Sequence, residues 1–467
     1  CDQWIKGTFC CKNEKKTVDG FYDGDGAYKV RFMPSFTDKY TFEIEASFDI
    51  NAGEELPNEE ALEHKRGIAD GGKNAEKCAV RNMLTGSFTV TPPSADNHGP
   101  VRVAGTYYLA YEDGTPYHCI GTTCYVWNLQ NEELQKQTLK TLEENAFNKI
   151  RFCIFPKHYD YNLHEPITYP YEGTPCDSSV LNENNFAEYN GCAPGNDWDF
   201  TRFNPAHFQH IEKCIQALMN LGIEADLIVM HPYDRWGFSM MKAEDDNRYW
   251  KYVLARFSAY RNVWWSLANE YDLMHEKTLS DWERYASIIC EKDPYHHLRS
   301  IHNCKAYYDY NLPWITHCSI QRTETYRSSE LVNEWREKYH KPVVLDEICY
   351  EGNIQFGWGN ISGEEMTRRF WEAFCRGGYP GHGETYLSPD RILWWSHGGI
   401  LHGTSPERIR FLAKIMGETP GLGVEPMPCK WDEVACRAAG FPARKDYFIY
   451  YYSFMRPGFR DFYFDDT

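Results

Sequence analysis

VWWSLANE, residues 263–270, is a short apolar run that stops abruptly on two polar residues, Asn269 and Glu270. Runs of the same kind recur along the chain: KIRFCIFP (149–156), EADLIVMH (224–231), LRSIHNC (298–304), ITHCSIQ (315–321) and PVVLDEIC (342–349). Amphipathic stretches that read as helices separate them, at 131–146, 205–221, 244–260, 278–291, 327–339 and 363–377. Apolar runs too short for helices, alternating with helical periodicity, indicate parallel strands covered on both faces. With a first strand in YHCIGTTCYVW (117–127) and a last within 380–397, there are eight β units over roughly 300 residues, the pattern of an α/β fold closed as a (β/α)8 TIM barrel. An open doubly wound sheet is the alternative. No G-x-G-x-x-G follows the first strand, so dinucleotide binding has no support.

On either side of the barrel the texture changes. Residues 1–108 alternate apolar and polar positions between Gly, Asp and Pro turns, as in AYKVRFMPSF, KYTFEIEASF and GPVRVAGTYYLAYEDG, and read as an N-terminal β-sandwich domain. The barrel is assigned 109–420, and 421–467 reads as a small C-terminal β-module. With 467 residues the chain has room for all three. Lys and Arg number 49 against 67 Asp and Glu, a net charge of -18, which disfavours nucleic acid and anionic lipid as partners. No uncharged apolar run reaches the roughly 18 residues of a membrane span. Seventeen cysteines, several inside apolar runs, fit buried thiols better than a disulfide framework, so a bacterial cytoplasm is the expected location. A secreted or lipid-anchored protein held through Cys1 is the alternative.

In a barrel, the polar residues at the C-terminal ends of the strands make the site. Those ends carry Trp127, Lys157-His158, His231-Pro232-Tyr233, Asn269-Glu270, His302-Asn303, Gln321-Arg322 and Asp346-Glu347, with GHGETY and WWSHGG in the eighth unit. Two of them, Glu270 on the fourth strand and Glu347 on the seventh, are glutamates. Two carboxylates across one barrel mouth are what glycoside hydrolysis requires: one protonates the leaving oxygen and the other attacks or activates water. The acid needs a raised pKa and the nucleophile a low one.

WWSLANEYD (264–272) resembles the Asn-Glu motif on the fourth strand of clan A glycoside hydrolases, and PVVLDEICYEG (342–352) resembles their nucleophile strand. Arg151 in KIRFCIF matches the clan's second-strand arginine. The resemblance covers roughly 110–420. It is closest to bacterial apiosidase-like and endoglucanase-like members carrying an N-terminal β-sandwich and a C-terminal β-module. It implies a retaining enzyme with Glu270 as acid/base, Glu347 as nucleophile, Asn269 on the sugar 2-hydroxyl and Arg151 keeping the nucleophile ionised. The eighth strand departs from the clan pattern: Glu384 stands where a lone tryptophan is usual.

Further substrate contacts are expected from His231, His302, Gln321 and Glu384, with stacking from tryptophans. Trp127, Trp236, Trp358, Trp394 and Trp395 are candidates for that stacking; Trp236, Trp358 and Trp394 are selected. Glu351, on the loop after Glu347, is read as a loop carboxylate, with substrate contact as the lesser alternative. The insert at 158–200 is expected to wall the cleft and favour exo action. The expected partner is a small carbohydrate, a plant- or host-derived oligosaccharide or glycoside. No metal and no cofactor is expected, and a homo-oligomer is left open. A metal-dependent barrel isomerase or lyase, using His231, His302, Glu270 and Asp346 or Glu347 as ligands, is the competing reading. A non-catalytic carbohydrate-binding barrel would have no need of both glutamates.

Overall fold

The computed structural model describes residues 4–49, 79–158, 166–177, 193–324, 327–388, 392–428, 434–439 and 447–453. Eight strands form one parallel sheet: Gly121–Thr123, Lys149–Cys153, Glu224–Met230, Val263–Ala268, Arg299–Ser300, Cys318–Gln321, Val343–Glu347 and Tyr379–His382. The first strand pairs with both the second and the eighth, and a parallel bridge from His302 to Ser319 joins the fifth to the sixth. The sheet therefore closes into a barrel. The third and fourth strands are buried at every position, which explains their unbroken apolar runs.

Helices Glu132–Glu143, Pro205–Asn220, Ala243–Phe257, Leu279–Lys292, Val332–Tyr339 and Gly363–Cys375 return the chain between strands, and Ser405–Glu418 follows the eighth. Local chemistry starts several of them. Asn131 and Ser362 accept backbone N–H groups of the first turn, Asn204 precedes Pro205 at the helix start, and Thr278 with Asp281 forms a capping box. The connection from the fifth to the sixth strand has no helix.

At the N-terminus, strands Trp4–Cys10, Lys15–Asp19, Lys39–Asp49 and Ala79–Thr89 form an antiparallel sheet. Its core residues Phe9, Val18 and Tyr40 pack on Tyr295 behind the barrel. Arg256 of a barrel helix bonds Asp23 of this module at 2.7 Å. The hairpin Val101–Ala104/Tyr108–Tyr111 sits elsewhere: Val101 and Leu109 pack with Trp264, Leu298, Val344 and Tyr379 and plug the N-terminal mouth of the barrel. The boundary expected at 108 falls inside that hairpin. Strands Val424–Met427, Val434–Ala438 and Phe448–Tyr451 make a three-stranded antiparallel sheet. Tyr451 stacks on Trp371 of helix Gly363–Cys375, with ring centroids 5.3 Å apart. Among the described residues, no helix is long and apolar enough to cross a membrane.

Candidate active site

With its N-terminal mouth plugged, the barrel opens at the C-terminal ends of its strands, where a cavity of about 230 Å³ is lined by Glu270 and Glu347. Both glutamates are buried. Tyr125, Tyr233, Tyr350, Trp358 and Trp395 supply its aromatic wall, and Lys157, Lys305, Cys304, Gln321, Thr323 and Cys349 complete it.

Glu347 reaches the cavity through an irregularity of the seventh strand. Successive strand residues normally face opposite sides. Here the register against the sixth strand jumps between Ser319↔Val344 and Gln321↔Glu347, placing an extra residue on the seventh strand. Such a bulge re-aims side chains, and both Asp346 and Glu347 turn inward. Asp346 bonds Lys149 at 2.7 Å deep in the barrel. Glu347 accepts from Arg151 Nη1 at 3.2 Å and from the Tyr125 hydroxyl.

Glu270 ends the fourth strand in the left-handed region, with φ of 51°. A non-glycine residue there is uncommon, and strained backbone of this kind gathers at functional sites. Its Oε2 accepts from the Tyr233 hydroxyl and from Asn269 Nδ2, the latter at 3.4 Å. Asn269 Oδ1 accepts from Arg151 Nη2 and Tyr125, each at 3.2 Å, so Arg151, Asn269 and Tyr125 link the two glutamates. His302 stands between them. Its Nδ1 accepts the Glu270 N–H at 3.4 Å, and its Nε2 lies 4.0 Å from Glu347. Burial and then the Arg151 charge hold this imidazole far below its ordinary pKa, so it is neutral.

Burial, followed by repulsion from Glu270, raises the pKa of Glu347, while Arg151 and Tyr125 oppose the rise. A low value was expected for a nucleophile. The difference arises because both carboxylates share one dehydrated space, where two like charges disfavour joint ionisation. Lys157 adds positive charge to the same wall. Its Nζ lies 3.3 Å from the Tyr125 ring centroid and 4.3 Å from that of Tyr233. Burial brings its pKa down to about 8.

Of the residues selected from the sequence, Glu270, Glu347, Gln321 and Trp358 line the cavity. Arg151, Asn269 and His302 lie directly behind it, bonded to or facing the glutamates. Four others lie elsewhere. His231 Nε2 sits 3.4 Å from the Phe155 carbonyl, and burial lowers its pKa to about 3. Trp236 is buried against Tyr169 and Phe238 and borders a separate small hollow. Trp394 points into the barrel and donates to Thr122 at 2.8 Å, leaving its neighbour Trp395 to face the cleft. Glu384 accepts backbone N–H groups of His402 and Gly403, and burial raises its pKa to about 7. Within the insert at 158–200, hairpin Tyr171–Thr174/Asp197–Phe203 packs on Phe238 through Tyr171 and Phe200; residues 159–165 and 178–192 lie outside the described residues.

Tyr125, Tyr350 and Lys157 complete the site without having been selected. Lys157 and Tyr233 stood among the strand-end residues, and Tyr125 lies two residues before the Trp127 read as the first strand's end. Tyr350 is clamped: its ring lies 5.8 Å from Trp358 and 6.0 Å from Trp395, and a Cβ on Gly383 would run into it. Gly383→Ala is therefore expected to destabilise the fold by about 1–3 kcal/mol through overpacking and to raise KM. Denaturant midpoints and steady-state kinetics check this. An unchanged KM would show that Tyr350 does not shape the cleft.

Comparison with known proteins bears on the family and the fold. The family model "Apiosidase-like, catalytic domain" matches residues 104–399, and "Domain of unknown function (DUF5060)" matches residues 2–47. The crystal structure of a candidate glycoside hydrolase from Bacteroides vulgatus ATCC 8482 superposes with a TM-score of 0.78 at 38% identity, covering 93% of this chain and 80% of that one. A glycoside hydrolase family 5 structure from the same organism superposes with a TM-score of 0.54 at 17% identity over 73% of this chain and 79% of its own, a likeness of fold. No curated protein matches.

Proposed function

This chain belongs to the Apiosidase-like catalytic domain family and is a glycoside hydrolase; from that premise we propose that it cleaves its substrate with retention, Glu347 as nucleophile and Glu270 as acid/base. One observation carries the proposal. Both glutamates line one small cavity, and the donors on Glu347 are a buried guanidinium and a phenol. Such donors favour the carboxylate form that attacks an anomeric carbon.

In the first step Glu347 bonds to the anomeric carbon while Glu270 passes its proton to the departing oxygen. In the second, Glu270 takes a proton from water, which displaces Glu347. Glu270 starts the first step protonated and Glu347 ends it as a neutral ester, so only one of the two carries a charge at each stage and their mutual repulsion is avoided throughout. Tyr233 and Asn269 orient Glu270. Lys157 and Arg151 keep the net charge of the mouth from becoming doubly negative.

The cavity is smaller than the roughly 300–1,000 Å³ that takes drug-sized ligands. That size favours one terminal sugar and exo action on a short plant- or host-derived oligosaccharide or glycoside. Trp358, Trp395 and Tyr350 offer faces on which a sugar ring stacks. The family name puts apiosides at the head of a substrate panel.

Aryl and alkyl glycosides of apiose, pentoses and hexoses test this reading. Wild type should turn over at least one sugar in both series. Glu270→Gln should lose about 10²–10⁴-fold in kcat/KM with alkyl leaving groups, which need a proton, and far less with dinitrophenyl ones. Equal losses on both would remove the acid role from Glu270.

A further inference from the structure

Outside the cleft, the short strands Glu351–Gly352 and Glu384–Thr385 pair in parallel with Glu351 opposite Glu384. Both glutamates are buried, at 0% and 1% exposure. Like charges set opposite each other in a sheet are destabilising, and buried charges need compensation. Among the described residues, no Lys or Arg forms an ion pair with either. Their compensation is mostly backbone, with the Tyr386 and Thr404 hydroxyls also donating to Glu351 Oε1, at 3.2 and 3.5 Å. The N–H groups of His402 and Gly403 donate to Glu384, and those of Thr404 and Ser405 to Glu351, at the start of helix Ser405–Glu418. Each carboxylate oxygen can accept more than one bond, so ligand capacity remains.

Two further observations point to a ligand. His382, the last residue of the eighth strand, completes a cluster in which one atom of each residue lies within 4.8 Å of the others. Its Nδ1 is engaged by the Thr122 hydroxyl at 3.2 Å, while Nε2, fully buried, has no hydrogen-bond partner among the described residues. In addition, a Cβ built on Gly403 would lie 2.5 Å from Glu351 Oε2 and 2.6 Å from Glu384 Oε2. The two oxygens converge on a space that glycine alone leaves open.

We propose that Glu351, Glu384 and His382 bind one divalent transition-metal ion. Two carboxylates and an imidazole suit zinc, cobalt or manganese rather than calcium, which takes six to eight oxygens. The ion would tie the segment after the seventh strand to the eighth strand and to the start of helix Ser405–Glu418. It would not touch substrate. Its position still bears on the cleft, because Glu351 follows Tyr350, whose N–H donates to the Trp358 carbonyl at 2.7 Å. The ion would hold that wall in place. This inference is independent of which glutamate attacks the sugar.

The test uses the full chain, stripped by chelator, equilibrated with Co²⁺ or Zn²⁺ and freed of excess metal by gel filtration. Wild type should retain one equivalent and unfold at a higher temperature than the stripped protein. The Co²⁺ form should show visible absorption without thiolate charge-transfer bands, which binding to any of the 17 cysteines would produce. Glu384→Gln and His382→Phe, shown to be folded by circular dichroism, should each bind at least tenfold more weakly. Folded wild type that retains no metal, a thiolate spectrum, or unchanged binding in both variants would each overturn the proposal. If the variants do not fold, the stoichiometry and cobalt spectrum of wild type decide it.

Discussion

Glu347→Ala should lower kcat by about four orders of magnitude or more, the scale seen when a nucleophile is removed from an otherwise intact site. The fold should survive the change. Glu347 is a buried carboxylate that Glu270 repels, and without it Arg151 keeps Asn269 Oδ1 at 3.2 Å and has Asp226 and Asp346 at 3.8 Å. The variant leaves a void on the face from which Glu347 attacks. Azide entering there should restore turnover and give a glycosyl azide of inverted configuration. Azide added to a Glu270→Ala variant acts from the other face after the glycosyl ester has formed, and should give the retained azide. The configuration of the two products, read by NMR, assigns each glutamate its role. Interchanged products would exchange the roles.

Arg151→Met is the second large effect, expected on both stability and pH dependence. The guanidinium is buried, donates to Glu347 and Asn269, and lies 3.8 Å from Asp226 and Asp346. Methionine fills much of its volume and leaves these acids with Lys149 as their remaining close cation. Breaking a buried ion pair from one side costs about 3–5 kcal/mol, visible as a lower denaturant midpoint. The pH effect has a definite sign. In the proposed nucleophilic role Glu347 acts ionised, and its ionised fraction falls as pH drops through its pKa. Arg151 holds that pKa down against burial and Glu270. Removing it raises the pKa further, so the acid limb of kcat/KM moves to higher pH. An unmoved acid limb in the Arg151→Met variant would show that Arg151 does not set the ionisation of Glu347.

The barrel and its two glutamates were legible because parallel strands are covered on both faces. Each reads as a continuous apolar run, and the run breaks where the strand reaches the open mouth, which is where Asn269-Glu270 and Asp346-Glu347 stand. Other features depend on relations between distant segments. The bulge that turns Glu347 inward is a property of the register between the sixth and seventh strands, which no local pattern carries. Trp394 and Trp395 are neighbours in a four-residue helix, Trp394–His397, and which of them faces the cleft depends on how that turn is set against Thr122. Glu384 looked like a substrate contact because it follows the eighth strand. Its pairing with Glu351 and the N–H groups of 402 and 403 turn it away from the cavity. The hairpin at 101–111 alternates like the N-terminal strands but packs under the barrel, since alternation reveals a buried face without revealing its partner.

The stereochemistry of hydrolysis tests the central claim most directly. A substrate of defined anomeric configuration, followed by proton NMR in the first minutes of turnover, should release sugar of the same configuration before mutarotation sets in. Retention is the predicted result, from a glycosyl ester on Glu347 opened by water from the opposite face. First-formed sugar of the inverted configuration would mean that Glu347 activates water instead, and would contradict the nucleophilic role given to it.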